Sequence, residues 1–164
     1  MQNKKKKHQS PQEKAIGYFW YEAVFLDRES VETAFKSVSK NYPKFDFVPR
    51  MFHVTTAFKP EPKHEELYGS VVSVHITGYT FGSVPDEKEG VVSENEGFIV
   101  EISSSDEKMQ DYLDNCKKIW HITGSYTIAA KYTGQLDFSD LTHVDITIKG
   151  VFGLGDSNGK IILE

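Results

Sequence analysis

Apolar and polar positions follow two periods along this chain, and each period occurs in both halves. Residues 17–27 carry the run Tyr18-Phe19-Trp20-Tyr21-Glu22-Ala23-Val24-Phe25-Leu26, rich in aromatic and branched side chains that suit a pleated surface, and predict a central strand. Over residues 28–41 the apolar positions become Val31, Ala34, Phe35 and Val38, the spacing of one helix face, with Pro43 as the stop. A second strand over residues 51–58 runs into Lys59-Pro60-Glu61-Pro62, where two prolines predict a turn or loop. Strand patterns follow over 70–82 and 97–102, separated by the charged stretch 85–90. Ser103-Ser104-Ser105 then precedes a helix pattern from about 106 to 118, with Met109, Tyr112, Leu113 and Cys116 as its stripe, and the serines can cap it. Residues 119–123 take the place that 52–55 held, 144–150 echoes 72–78, and a short last strand over 160–163 follows the turn 155–159.

Each half therefore reads strand, helix, His-x-Thr strand, then a strand ending in glycine: an internal symmetry of pattern, not of identity. The expected fold class is α+β, with two pseudo-symmetric lobes of antiparallel sheet, outer helices and a groove between the lobes. Residues 17–164 form one bilobal domain in this reading. Residues 1–16, with Lys4 to Lys7, are expected to be a disordered basic tail, with an RNA or nuclear-import contact as the other use of the lysines.

Composition narrows the picture. The chain has 164 residues, 38% hydrophobic and 13% aromatic, which suffices for one buried core. Its net charge of -5 at pH 7 argues against a protein that coats long nucleic acid, because such binding neutralises phosphates with basic surface. A small anionic ligand held locally is compatible with it. No stable duplex binding is expected. The single cysteine, Cys116, rules out a disulfide framework within the chain and fits a reducing compartment. Lys4 to Lys7 are not followed by the apolar stretch of a signal peptide, so the expectation is a cytoplasmic protein with no membrane contact, and a monomer.

The chemistry sits in Phe52-His53-Val54-Thr55 and Trp120-His121-Ile122-Thr123. On a strand, residues two apart leave the same face, so each histidine points with its threonine while Val54 or Ile122 points into a core. Two imidazoles facing one phosphate can divide acid and base work, since their pKa lies near neutrality. The threonine hydroxyls can donate to non-bridging oxygens. His75-Ile76-Thr77 is a third copy, so a register in which His75 replaces one of the two histidines stays open. His143 is expected at the surface, and His64, among the charges of Lys63-His64-Glu65-Glu66, in solvent. Candidate substrate contacts are Phe58, Lys59, Tyr79, Tyr126 and Lys131. Trp120, on the face opposite His121, is expected to pack.

These motifs resemble the signature of the 2H phosphoesterase superfamily, two copies of His, hydrophobic, Thr or Ser, hydrophobic, here 68 residues apart. The resemblance spans residues 18–163 and departs at the fourth motif position, which is Thr56 in one copy and Gly124 in the other. It implies a metal-independent hydrolase of 2′,3′-cyclic phosphates or 2′-linked nucleotide phosphodiesters. His53 and His121 would be catalytic, Thr55 and Thr123 phosphate-binding, with no cofactor and no metal. The substrate would be a small nucleotide or an RNA terminus. Degradation of cyclic or 2′-5′ oligonucleotide immune signals, as in viral and phage relatives, is a variant of the same chemistry. A catalytically silent nucleotide-binding module is the reading from another class.

Overall fold

The computed structural model describes residues 17–116 and 118–164, so the Lys4–Lys7 run lies outside the described residues. The elements, in order, are β1 (Trp20–Leu26), α1 (Arg28–Val38), β2 (His53–Phe58), β3 (Val71–Asp86), β4 (Val91–Ser103), α2 (Glu107–Asn115), β5 (Trp120–Tyr126), β6 (Thr142–Asp156) and β7 (Ile161–Ile162). Short 3-10 turns cover Glu65–Leu67 and Ala130–Gln135. The α+β class holds. Instead of two separate sheets, however, the strands form one antiparallel sheet in the order β2-β1-β6-β3-β4-β5, with β7 on β6.

That order is the expected internal symmetry expressed in three dimensions. Each half lends its last strand to the other: β6 lies beside β1, β3 lies beside β4, and the two lent strands pair in the middle. His75 pairs with Thr147, its counterpart in the second half, so a pseudo-twofold axis passes between them. The long β3–β4 hairpin extends further than its sequence pattern suggested, because the charged stretch closes as a tight turn between Asp86 and Val91.

Both helices feed one core on one face of the sheet. Val31 and Phe35 of α1 and Met109 and Leu113 of α2 join Val24, Val54, Phe98, Ile122 and Phe152 in a single cluster. Each such side chain, fully buried, contributes roughly 1.5–3 kcal/mol. Phe35 stacks on Phe98 at 3.8 Å between ring centroids and tilts against Phe52 at 6.3 Å, which ties the two halves through one ring. Asp27 caps α1, its Oδ2 accepting from the Ser30 N–H at 3.0 Å, and these bonds hold its carboxyl below the usual range. The cap of α2 is Asp106, accepting from the Met109 N–H at 2.9 Å, and not one of the three serines before it. A carboxylate bonds an exposed N–H more strongly than a hydroxyl does, and Ser104 Oγ instead accepts from the Asp106 N–H at 3.1 Å.

The two ends of the strand order, β2 and β5, come back into contact with each other. Their local geometry matches. In β1–β2, Glu22 pairs with Ala57 and Ala23 with Thr55, so Thr56 is an extra residue; in β4–β5, Glu96 pairs with Ser125 and Gly97 with Thr123, so Gly124 is extra. Thr56 and Gly124, the departures at the fourth motif position, are thus β-bulge residues in both halves. No helix among the described residues is long and apolar enough to cross a membrane.

Candidate functional site

Both motif histidines stand three pairing positions from their bulge: His53 opposite Phe25 and His121 opposite Ile99. Alternation puts them, with Thr55 and Thr123, on the sheet face away from the helices, while Val54 and Ile122 are fully buried on the helix side. The two rings are close enough that charge on His53 disfavours charge on His121. The structure therefore brings the two motif strands into contact, with the two histidines within electrostatic reach of each other.

The rings sit in different surroundings. His53 Nδ1 is 2.8 Å from the Met51 carbonyl oxygen, so in the neutral ring Nδ1–H donates and Nε2 keeps its lone pair for a ligand. Tyr21 and Phe25 flank it at 5.0 and 6.0 Å between ring centroids. Loss of water around the ring pushes its pKa down, and the bond to Met51 opposes this. Burial also pushes His121 down to about 4, reinforced by His53 and by Lys118. Gly134 lies against His121: a Cβ there would come 3.1 Å from its Cε1.

Thr55 is half-buried, and among the described residues its hydroxyl has no hydrogen-bond partner. Thr123 is only 9% exposed, and its hydroxyl donates toward Thr133 Oγ1 at 2.9 Å and the Ala130 carbonyl at 3.3 Å. Its one hydrogen is committed to the fold, so in this arrangement Thr55 alone of the two motif threonines can donate to a phosphate oxygen.

The remaining candidates divide. Phe58 is 61% exposed, and the Lys59 ammonium lies 5.5 Å from its ring centroid. Lys131 is likewise exposed, over the Tyr132 ring at 5.1 Å. Tyr79 and Tyr126 do not reach solvent: they are 4% and 1% exposed, and Tyr79 donates to Glu96 at 2.8 Å, so neither has a face to offer a base. Trp120 packs against the core as alternation requires. His75, near the axis in the middle of the sheet, is bonded to Asp145 at 2.7 Å with Glu101 at 3.8 Å. One strand, β4, separates β3 from β5, and two, β6 and β1, separate it from β2, so the third motif does not join the pair. His143 is at the surface. His64 is not simply solvated: its ring and its backbone N–H both bond the Glu22 carboxylate, at 2.8 and 2.6 Å.

Sequence reading missed three features. Lys118 is a cation beside His121, visible in the sequence only as a charge three residues before the motif. Tyr21 reaches His53 because the glycine at 155 leaves room, since a Cβ there would come 2.7 Å from the Tyr21 ring. Glu22 and Glu96, both fully buried, face the two bulges; Glu22 gathers His64, Tyr68 and Tyr112, and Glu96 gathers Tyr79, Ser125 and the Lys44 N–H. A glutamate inside each first strand of the repeat was the available signal. Two clefts of about 350 and 470 Å³ share Trp20 and Lys63 and include neither motif histidine. They flank the side of β1 opposite Tyr21. No family model, no curated protein and no solved structure matches the chain.

Proposed function

We propose that the protein is a phosphodiesterase of the 2H type, acting without a metal on 2′,3′-cyclic or 2′-linked nucleotide phosphodiesters through His53 and His121. The observation that carries this reading is the matched placement of the two imidazoles, each three positions beyond a bulge, on strands that meet, with their charges coupled. One neutral ring takes a proton from water as its oxygen bonds to phosphorus. The other ring, protonated, gives its proton to the ester oxygen as the P–O bond breaks, so both protons are accounted for. Burial favours neutral rings in the free protein. An anionic phosphate between them favours the proton that the acid needs, and binding is therefore coupled to proton uptake near neutral pH. Thr55 donates to a non-bridging oxygen, and Lys118 adds positive charge on the His121 side.

The test is turnover of nucleoside 2′,3′-cyclic phosphates, 2′-5′ dinucleotides and cyclic dinucleotides in EDTA. Wild type should cleave at least one class, and His53→Ala or His121→Ala should each lower kcat/KM by about 10²–10⁴. Because the two act as a unit, the double variant should be scarcely worse than either single one. Activity that survives both substitutions would leave the proposal without its catalytic pair.

A further inference from the structure

Tyr21 of β1 and Phe19, just before that strand, lie on the same side as His53 and form a row with it. Ring centroids are 5.0 Å apart for His53 and Tyr21, 6.2 Å for Tyr21 and Phe19, and 5.4 Å for Phe19 and Phe58. The rings tilt by 32°, 41° and 48°, so they do not close on one another face to face. The row ends at Phe58, 61% exposed, with the Lys59 ammonium beside it. Lys59 holds that place with φ at 49°, a left-handed conformation that a side chain disfavours and that puts strain at the end of the row.

An exposed aromatic end with a cation attached suits a nucleotide better than an apolar protein surface, because bases stack on rings and phosphates follow lysines. Position decides how many nucleotides. Phe58 is five residues along β2 from His53, one of the intervening residues being the bulged Thr56, which leaves roughly 13 Å along the strand. With the scissile phosphate between His53 and His121 and Thr55 on a non-bridging oxygen, the next ring along the row is Tyr21, 5.0 Å from His53, and Phe58 lies beyond it.

We propose that the substrate is a single-stranded oligonucleotide of at least two nucleosides. The base beside the scissile phosphate stacks on Tyr21, the next base stacks on Phe58, and Lys59 pairs with the phosphate that joins them. This rests on the phosphodiesterase reading for the position of the scissile phosphate.

Two measurements on the full chain separate the inference from that reading. The first is the Kd of thymidine 3′-monophosphate and of the di- and trinucleotides ending in the same 3′-phosphate. The second is the ratio of kcat/KM for a dinucleotide and a mononucleoside that carry the same 2′,3′-cyclic phosphate. In wild type, affinity and the rate ratio should each rise about tenfold with the second nucleoside. Phe58→Ala should bring both ratios near one, Phe58→Trp should keep them, and Lys59→Gln should reduce the salt slope of dinucleotide binding by about one. Melting temperature monitors folding, which an exposed ring should leave intact. Equal affinity for one and two nucleosides overturns the inference even if cleavage occurs, as does a gain that survives Phe58→Ala. A gain that depends on Phe58 in a protein that cleaves nothing upholds the stacking row and overturns the phosphodiesterase reading instead.

Discussion

The half built on β2 and the half built on β5 share a backbone plan and differ in how far it is closed. On β2 the motif threonine is half-buried, with no hydrogen-bond partner for its hydroxyl among the described residues, and the strand ends in an exposed Phe58 followed by Lys59. On β5 the motif threonine is sealed under the 130–135 turn, and the strand ends in Tyr126, bridged to Phe47 with N–H···O bonds of 2.9 Å in both directions. The same contrast holds at the bulges. Thr56 fills its bulge with a hydroxyl bonded to Tyr112 and the Glu22 carbonyl, whereas Gly124 leaves its place to the Phe35 ring. A duplicated frame thus supplies two equivalent histidines, and the side chains around them make one half open to a ligand and the other part of the core.

What the halves share is tested by acid. His121 titrates at about 4 when folded against an ordinary 6.5, so between those values the unfolded chain holds a proton that the folded chain does not. Stability from this group is complete above about pH 6.5, is lost as pH falls toward 4, and changes no further below it; the loss is on the order of 3 kcal/mol. His53 shifts in the same direction and adds to the same limb. Urea unfolding between pH 7 and 4 measures the slope, and His121→Gln should flatten it. An unchanged slope in that variant would mean that the ring is solvated.

What the halves do not share is tested at the bulges, with a smaller effect. A Cβ at Gly124 would lie 2.6 Å from Phe35 Cζ and 3.1 Å from Glu96 Cγ, so Gly124→Thr must displace a ring that ties the halves together and should cost about 2–3 kcal/mol. Thr56→Gly loses one buried hydroxyl and stiffens nothing in return, at about 1–2 kcal/mol. Denaturant midpoints rank the two. The reverse order would show that the bulge of the open half is the one the fold depends on.

The frame was legible because it is written in periodicity. The aromatic run of β1, the stripes at Val31, Ala34 and Phe35 and at Met109 and Leu113, and the His-x-Thr alternation all appear where they were expected. The exchange of β3 and β6 between halves was not legible, because strand partners depend on long-range pairing that no local period encodes. The fate of the aromatics was hidden for the same reason. Tyr79 and Phe58 are equally aromatic in the sequence, but one donates to a buried glutamate across the sheet and the other ends an edge strand. The departures at Thr56 and Gly124 carried a signal with no obvious meaning until the register showed both to be bulges.

The finest cut between the halves is the pair Thr55→Val and Thr123→Val, which remove the same hydroxyl from equivalent positions. Thr123 belongs to a buried chain that runs through Thr133 to Asn95, whose Nδ2 donates to Thr133 Oγ1 at 2.9 Å, so its loss should cost about 1 kcal/mol of stability. Thr55 should cost less than about 0.5 kcal/mol, because its hydroxyl makes no hydrogen bond among the described residues. Activity should sort them the other way, with kcat/KM falling about tenfold or more for Thr55→Val and following folding for Thr123→Val. If instead Thr55→Val destabilises as much as Thr123→Val and spares turnover, the open half is open only in appearance, and its threonine belongs to the frame.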